Sequence, residues 1–229
     1  MRTLLLPAPL RSGEVEITGD EAHHALRVLR VRSGEAVRVA DGAGHAAEAV
    51  VTAADRKLLV RLGPVEDLPP DRLGDLTIVV APPKGDRWTE LVRGLTELGV
   101  GAILPLVCQR GERQPTSLDR ARRVAAEALK QCRRHWLPRL GPPVDIPALA
   151  VPGGRVIICD PAGGPPAPGA PGPATLVVGP EGGLDEDEVA LLVAAGAARV
   201  RLAGPVLRIE TAALAAAAVW AATWEHVHP

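Results

Sequence analysis

The chain has 229 residues, of which 47% are apolar and 23% are charged, and its formal net charge is −1. This length supports one large domain or two small ones, and the apolar fraction excludes a disordered chain. No apolar run reaches the roughly eighteen residues of a transmembrane helix. Because the leucine run near the start is also too short for a signal peptide, we expect a cytoplasmic protein without a membrane partner.

Short strands and one helix are predicted for the first 65 residues. Alternating apolar residues, separated by Gly and Asp-Gly turns, predict strands at 14–18, 35–41, 48–55 and 57–63. Asp20 is expected to cap a helix over 21–30, whose apolar face comprises Ala22, Ala25, Leu26 and Leu29. This pattern indicates a small β-barrel domain over 1–68, followed by a proline-rich, charged linker over 69–75.

From Leu76 onward, predicted strands and helices alternate. Strands are predicted at 76–82, 102–107, 155–160, 174–178 and 198–202. Helices are predicted at 86–98, from a Ser117 cap to about residue 135, at 186–195 and at 211–225. Continuous apolar runs are typical of strands that are buried on both faces. The sequence therefore predicts an α/β domain over 76–229 with a mainly parallel sheet, carrying a Pro- and Gly-rich surface loop at 160–173.

The small net charge hides a segregated distribution. Residues 110–139 carry nine basic and three acidic residues, whereas residues 181–190 carry five acidic residues and no basic one. This local positive excess indicates a surface for a polyanion such as RNA. The arginines expected to contact RNA, including three in the first domain, are Arg27, Arg30, Arg32, Arg110, Arg122 and Arg123. The three cysteines are widely spaced without a C-x-x-C pair, so no metal site is expected.

The most informative motif is T-L-V-V-G-P-E-G-G-L-D-E-D-E-V at 175–189. A predicted buried strand runs into Gly179–Gly183, which we call the GPEGG loop, and Asp185 with Glu188 forms the pattern of a helix capping box. Such a loop follows the carboxyl end of a parallel strand, where α/β sheets bind ligands, and its glycines allow a ligand to approach the backbone. The acidic residues after it favour a neutral or cationic ligand over phosphate. Taken alone, the motif is equally typical of a tight structural turn.

A second motif, R-L-A-G-P-V-L-R-I-E-T-A, occupies 201–212. A predicted strand ends in Leu202–Leu207, which we call the LAGPVL loop, and Arg208 and Glu210 then lead into a helix rich in alanine. Small residues allow such a helix to pack closely against a neighbour. The sequence does not decide whether this neighbour lies in the same chain or in a partner subunit.

Together, the two motifs resemble the cofactor loops of the RsmE family, SPOUT-class RNA methyltransferases that form N3-methyluridine in small-subunit ribosomal RNA. Further segments resemble the family in the same order, namely HHALRVLRVRSGE (23–35), PPKGDRWTELVRGLTELGV (82–100), PLVCQR (105–110) and AAEALKQCRRHWLP (125–138). The chain departs from the family pattern at Ala203 and Pro205 in the LAGPVL loop, at Ile209, where Thr is usual, and at Lys130, where an acid is usual.

The resemblance implies a PUA-like RNA-binding barrel followed by a trefoil-knotted SPOUT methyltransferase domain. It also implies a homodimer, S-adenosylmethionine as cofactor, and 16S ribosomal RNA as partner, with the assembled small ribosomal subunit as its expected form. The matching cofactor positions before and within the GPEGG loop are Val177, Val178, Gly179, Glu181, Gly182 and Gly183. Those in the LAGPVL loop are Leu202, Gly204, Val206 and Leu207.

Methylation of uridine N3 requires loss of the N3 proton, so a nearby arginine would stabilise the uracil anion. We hypothesise that Arg134 or Arg208 supplies this charge and that Glu181 or Glu210 orients the arginine. The alternatives are a SPOUT enzyme that modifies another RNA or a ribose 2′-oxygen, and a non-catalytic assembly factor that binds ribosomal RNA. A nucleotide-binding dehydrogenase is disfavoured, because no G-x-G-x-x-G follows the first strand of the α/β domain. The target nucleotide and the acceptor of the N3 proton stay open.

Overall fold

The computed structural model describes residues 1–7, 9–71, 73–112, 117–151, 154–166 and 172–225. Residues group into two compact units. Unit 1 comprises residues 1–70 together with 126–137, and unit 2 comprises 71–125 together with 138–229. Among the described residues, no helix is both long enough and apolar enough to cross a membrane.

Unit 1 is built on a six-stranded sheet. Its elements are β1 (Arg2–Leu5), β2 (Gly13–Ile17), α1 (Gly19–His23), β3 (Ala36–Ala40), β4 (His45–Ala54), β5 (Leu58–Leu62) and β6 (Glu66–Asp67). The strand order is β1-β3-β4-β5-β2, and β6 pairs with β4. The pairs are antiparallel except for β1, which runs parallel to β3. Strand β1 was not predicted, because four residues before a proline show too little alternation.

The helical part of unit 1 differs from the prediction at its start. Helix α1 continues directly into a π-helical segment, His24–Leu29, which ends at Arg30 in the left-handed conformation. The N-cap is Thr18, and Asp20 lies inside the first turn, so the predicted cap is wrong. The predicted apolar face is confirmed: Ala25 is buried, and Ala22, Leu26 and Leu29 pack against the core of the sheet.

Residues 126–137 attach to the first seventy residues through backbone and indole hydrogen bonds. The amide of Gly44 donates to the carbonyl of His135 at 3.0 Å, and the amide of Leu137 donates to the carbonyl of Gly42 at 2.8 Å. Trp136 Nε1 donates to the carbonyls of Leu68 and Pro69 at 3.2 and 3.0 Å. This segment is therefore part of the packing of unit 1 although it is distant in sequence.

Unit 2 alternates strands and helices around a parallel sheet. Its strands are β7 (Leu76–Val80), β8 (Ala102–Val107), β9 (Arg139–Leu140), β10 (Val144–Asp145), β11 (Val156–Gly164), β12 (Ala174–Val178) and β13 (Ala198–Val200). Its helices are α2 (Arg87–Leu98), α3 (Leu118–Cys132), α4 (Ile146–Leu149), α5 (Glu186–Ala194) and α6 (Ile209–Glu225), and the last residues of α3 belong to unit 1. The order is β10-β8-β7-β12-β11-β13, with β9 beside β8 and all pairs parallel. The predicted mainly parallel sheet is confirmed.

The structure confirms the predicted cap of α3 and corrects the extent of α3 and β11. The hydroxyl of Ser117 accepts from the amide of Arg120 at 3.3 Å, so the predicted cap of α3 is present. The helix ends at Cys132 rather than residue 135, because Arg133 adopts a left-handed conformation. Strand β11 continues to Gly164 within the predicted loop 160–173, of which 167–171 lie outside the described residues. A Cβ at Gly163 would lie 2.6 Å from the amide nitrogen of Val200, so glycine there permits close strand pairing.

The alanine-rich helix α6 packs within its own chain. Its buried residues are Ile209, Ala213, Ala216, Ala217 and Trp220. Leu214 lies against Gly94 of α2, where an added Cβ would approach its Cδ2 to 2.7 Å. The small residues of α6 therefore have an intramolecular use, which the sequence had left open.

Candidate functional site

A cavity of about 710 Å³ lies at the carboxyl end of the parallel sheet in unit 2. Three chain segments form it: residues 158–162 within β11, the GPEGG loop after β12, and the LAGPVL loop after β13. One face of α5 closes it, with Glu186, Val189, Ala190 and Val193. This is the end of an α/β sheet at which ligands bind.

The backbone of the GPEGG loop is a tight turn. The amide of Gly183 donates to the carbonyl of Pro180 at 2.8 Å, and Gly183 has a φ of +70°, which favours glycine. A Cβ on Gly179 would lie 3.2 Å from both the Cδ2 and the backbone nitrogen of Leu184, tighter than ordinary contact. Glycine at positions 179 and 183 therefore permits the tight turn beside the cavity. The predicted capping box of Asp185 and Glu188 then starts α5, as expected.

Eight of the ten predicted cofactor residues line this cavity. They are Val178, Gly179, Glu181, Gly182, Gly183, Leu202, Val206 and Leu207. Val177 is fully buried and packs into the apolar core of unit 2 instead, because strand residues alternate between faces. Gly204 lies between two lining residues, Ala203 and Pro205, without lining the cavity itself.

The end of β11 contributes residues that the sequence did not single out. Arg199 Nη2 lies 2.8 Å from Asp160 Oδ2 in an ion pair at the cavity wall. Cys159 also lines the cavity, and burial raises the pKa of its thiol to about 12. A neutral thiol at this wall adds apolar surface. An acid followed by Pro-Ala-Gly-Gly carries no local signal for a site, since only the strand order brings it beside the GPEGG loop.

The predicted catalytic residues fall in different places. Arg208 is exposed and lies between Leu207 and Ile209, which both line the cavity. Glu210 Oε1 is 3.6 Å from Arg87 Nη1, and Glu210 Oε2 is buried with no hydrogen-bond partner among the described residues. The arginine paired with Glu210 is therefore Arg87 of α2. Arg134 is buried and belongs to unit 1.

The predicted RNA-contacting arginines are all exposed, but their partners differ. The side chains of Arg27, Arg30, Arg32 and Arg123 form no hydrogen bond or ion pair with other described residues. Arg122 pairs with Asp119 of its own helix at 3.2 Å. Arg110 contacts the GPEGG loop, where its Nη1 donates to the carbonyl of Gly182 at 3.0 Å.

A second cavity, of about 850 Å³, lies on the opposite face of α5. Helix α5 lines it with Asp187, Glu188 and Leu191. Cys108 also lines it, and burial, with the charge of Glu188, raises the pKa of this thiol to about 11, although a hydrogen bond with Gly111 opposes the shift. Among the described residues, no group of three or more His, Cys, Asp or Glu side chains is arranged to hold a metal ion.

Two family models match the chain, one described as an RNA methyltransferase PUA domain over residues 17–62 and one as an RNA methyltransferase domain over residues 69–221. The chain is accordingly an RNA methyltransferase with a PUA domain. Ribosomal RNA small subunit methyltransferase E from Mycobacterium tuberculosis is 35% identical, over 91% of this chain and 87% of the relative. The protein of the same name from Synechocystis is 30% identical, over 92% and 74%. The chain belongs to the ribosomal RNA small subunit methyltransferase E family.

Solved structures agree with this assignment. A ribosomal RNA small subunit methyltransferase E from Neisseria gonorrhoeae, bound to S-adenosyl methionine, is 29% identical and superimposes with a TM-score of 0.88 over 98% of each chain. A probable rRNA-methyltransferase from Porphyromonas gingivalis is 27% identical, with a TM-score of 0.88 over the full length of both. The predicted family and the predicted PUA-like and α/β classes are confirmed, while the trefoil knot stays a prediction.

Proposed function

We propose that the chain transfers the methyl group of S-adenosylmethionine to N3 of a specific uridine in 16S ribosomal RNA. The observation that carries this proposal is the cavity at the carboxyl ends of β11, β12 and β13, formed by both loops that resemble the family's cofactor loops. The related Neisseria protein, whose structure holds S-adenosyl methionine, supports the same cofactor here.

The cavity suits this cofactor in size and chemistry. Its volume of about 710 Å³ lies within the usual range for small-molecule sites. Apolar walls and close glycine backbone provide flat surfaces for an adenine ring. The acidic side chains at its edge, Glu181 and Glu186, suit the positive sulfonium better than a phosphate. A Cβ at Gly179 would push against Leu184 and narrow the space.

When bound, S-adenosylmethionine supplies an electrophilic methyl carbon, and its C–S bond breaks as the bond to N3 forms, leaving the electron pair on sulfur. Before that step, N3 must lose its proton. We assign Glu210 to this step, because it lies on α6 between Ile209 and Ala212, which line the cavity, and its Oε2 has no hydrogen-bond partner among the described residues, although Glu210 is itself absent from the lining. Arg208 supplies positive charge for the uracil anion from the edge of the cavity. Arg134 is buried whereas Arg208 is exposed, which favours Arg208 over Arg134 in this role.

Substitution separates these roles from cofactor binding. Arg208→Ala and Glu210→Gln should each lower kcat on the order of 100-fold, the effect of removing one charge-stabilising group, while S-adenosylmethionine affinity stays near that of the unmodified chain. Arg93→Ala is the matched control, since Arg93 is an exposed arginine of α2 away from the cavity lining. Near-normal turnover in both variants would contradict the assignment, and a large effect of Arg134→Ala alone would transfer the role to Arg134.

The decisive assay supplies labelled S-adenosylmethionine with small ribosomal subunits that lack the modification, and with the deproteinised 16S RNA. Nuclease digestion and mass measurement then locate the label. We expect label on one uracil base, and on assembled subunits in preference to free RNA. Label on a ribose would indicate a 2′-oxygen methyltransferase, whereas tight binding without label would indicate an assembly factor.

We further propose that the chain acts as a homodimer in the cytoplasm and holds RNA through two groups of arginines. The first is Arg27, Arg30 and Arg32 in the domain 1–68, and the second is Arg122 and Arg123 in α3. Changing Arg122 and Arg123 to Glu should weaken RNA binding and reduce its salt dependence, with cofactor affinity unchanged. Light scattering after size-exclusion chromatography measures the oligomeric state, and a monomer at assay concentration would contradict the dimer.

A further inference from the structure

The guanidinium of Arg110 contacts the GPEGG loop and the start of α5 at the same time. Its Nη1 donates to the carbonyl of Gly182 at 3.0 Å, and its Nη2 lies 3.4 Å from Asp185 Oδ2. The aliphatic part also approaches the loop, since a Cβ on Gly182 would lie 3.8 Å from Arg110 Cδ. A guanidinium is a planar group with several N–H donors, so it can hold the Gly182 carbonyl and the Asp185 carboxylate at the same time.

The residue before Arg110 adds a second connection. The backbone amide of Gln109 donates to Glu188 Oε1 at 2.7 Å, and Glu188 Oε2 accepts from the amide of Asp185 at 2.8 Å. One carboxylate therefore joins the segment after β8 to the capping box of α5. The chain after β8 and the chain after β12 are connected by polar contacts at three points.

These contacts matter because the apolar packing of this region is limited to Leu192, which is buried, and to Leu184 and Val189, which pack partly buried against the core. Helix α5 has a cavity on each side, and Leu192 is its only buried residue. In the loop itself, Glu181 and Gly182 are exposed. The peptide between Gly182 and Gly183 is held instead by hydrogen bonds at both ends, from Arg110 to its carbonyl and from its N–H to the carbonyl of Pro180.

We propose that Arg110 is a positioning residue of the cofactor site, which fixes the GPEGG loop in its ligand-binding shape, and that it is not an RNA contact. This inference rests on the proposed use of the cavity for S-adenosylmethionine. Arg110 is absent from the cavity lining, so it acts through Gly182 and Asp185. The sequence predicts that Arg110 contacts RNA, whereas this inference gives its positive charge a role in holding the GPEGG loop.

The test compares Arg110→Ala and Arg110→Lys with Arg93→Ala, an exposed arginine whose side chain has no partner among the described residues. Calorimetry should show S-adenosylmethionine binding weakened on the order of 10-fold in Arg110→Ala, the loss of a hydrogen bond from a charged donor. The affinity of Arg110→Lys for S-adenosylmethionine should lie between those of the unmodified chain and Arg110→Ala, because an ammonium group lacks the fixed pair of donors that a guanidinium offers. At saturating cofactor, kcat should be nearly unchanged, and so should the salt dependence of RNA binding.

A second measurement does not need the cofactor. Amide hydrogen exchange of residues 179–185 in the free protein should be faster in Arg110→Ala than in Arg93→Ala, while exchange in β12 stays the same. Unchanged cofactor affinity in Arg110→Ala would overturn the inference whatever the exchange shows. If the slope of RNA affinity against salt concentration fell by about the contribution of one phosphate contact, Arg110 would be an RNA contact instead. If the unmodified chain itself fails to bind S-adenosylmethionine, the proposed function fails; if it binds and Arg110→Ala binds equally well, only the inference fails.

Discussion

Replacing Gly44 with alanine should detach the segment 126–137 from the rest of unit 1. A Cβ on Gly44 would lie 2.1 Å from Cζ2 and 2.4 Å from Cε2 of Trp136, so the indole must move. Movement of the indole would disrupt the hydrogen bonds that its Nε1 donates to the carbonyls of Leu68 and Pro69. Gly44 also has a φ of +94°, a backbone conformation that alanine adopts only with strain.

Two costs contribute to the expected loss of stability. Alanine at a positive φ costs about 1 kcal/mol, and forcing extra volume into a packed site costs about 1–3 kcal/mol. Gly34→Ala is the matched control: Gly34 has a φ of +84° but no atom within 4 Å of the added Cβ, so only the first cost applies. The free energy of unfolding should therefore fall by about 2–4 kcal/mol in Gly44→Ala and by about 1 kcal/mol in Gly34→Ala.

Urea unfolding followed by circular dichroism measures this difference, and amide hydrogen exchange locates it. Residues 126–137 should lose protection in Gly44→Ala but not in Gly34→Ala. In a Trp136→Ala background, the cost of Gly44→Ala should fall to that of Gly34→Ala, because the contact has gone. Equal midpoints for the two single variants would refute the steric reasoning.

Two further predictions concern a buried cation and the GPEGG loop. Lys130→Met should destabilise the protein by about 3 kcal/mol, since it leaves Glu21 without its cation, whereas Lys57→Met, at an exposed ion pair, should cost at most about 1 kcal/mol. Burial lowers the pKa of Lys130, but hydrogen bonds and charges of Glu127 and Glu21 outweigh burial and raise it above 10.5. Its stabilisation should thus be complete below pH 10.5 and disappear as pH rises through the higher folded-state pKa, which urea titrations at several pH values measure. Gly183→Ala, at a φ of +70° in open space, should weaken S-adenosylmethionine binding several-fold in calorimetry with a stability loss of only about 1 kcal/mol; unchanged affinity would show that the loop tolerates the strain.

The parts of the fold that the sequence predicts well are those with local causes. The runs at 102–107 and 174–178 match β8 and β12 residue for residue, because continuous apolar stretches between turns leave little choice of structure. The attachment of residues 126–137 to unit 1 has no local cause. It depends on Trp136 meeting Gly44, more than ninety residues earlier in the chain, and only the folded backbone brings the two together.

The candidate site divides in the same way. The glycines of the GPEGG loop are visible in sequence, because a strand followed by glycines and a capping box has a local meaning. Asp160 and Arg199 at the cavity wall become neighbours only because β11 lies between β12 and β13 in the sheet. Arg110 is the most instructive case: a charge run predicts an exposed surface, whereas the contact with Gly182 joins the segments after β8 and β12, the two strands that flank β7 in the sheet.

Counting charges along the chain also overestimates the RNA-binding surface. Within the basic run 110–139, Arg110, Arg120 and Arg122 each lie beside a carboxylate, and Lys130 lies between two. The exposed pairs of the three arginines are weak, so phosphate can compete for these arginines, but the carboxylates stay nearby and lower the positive potential. Arg123 has no such partner among the described residues, and neither do Arg27, Arg30 and Arg32 of the first domain. The positive surface available to RNA is therefore smaller in α3, and weighted more towards the first domain, than the excess in 110–139 predicts.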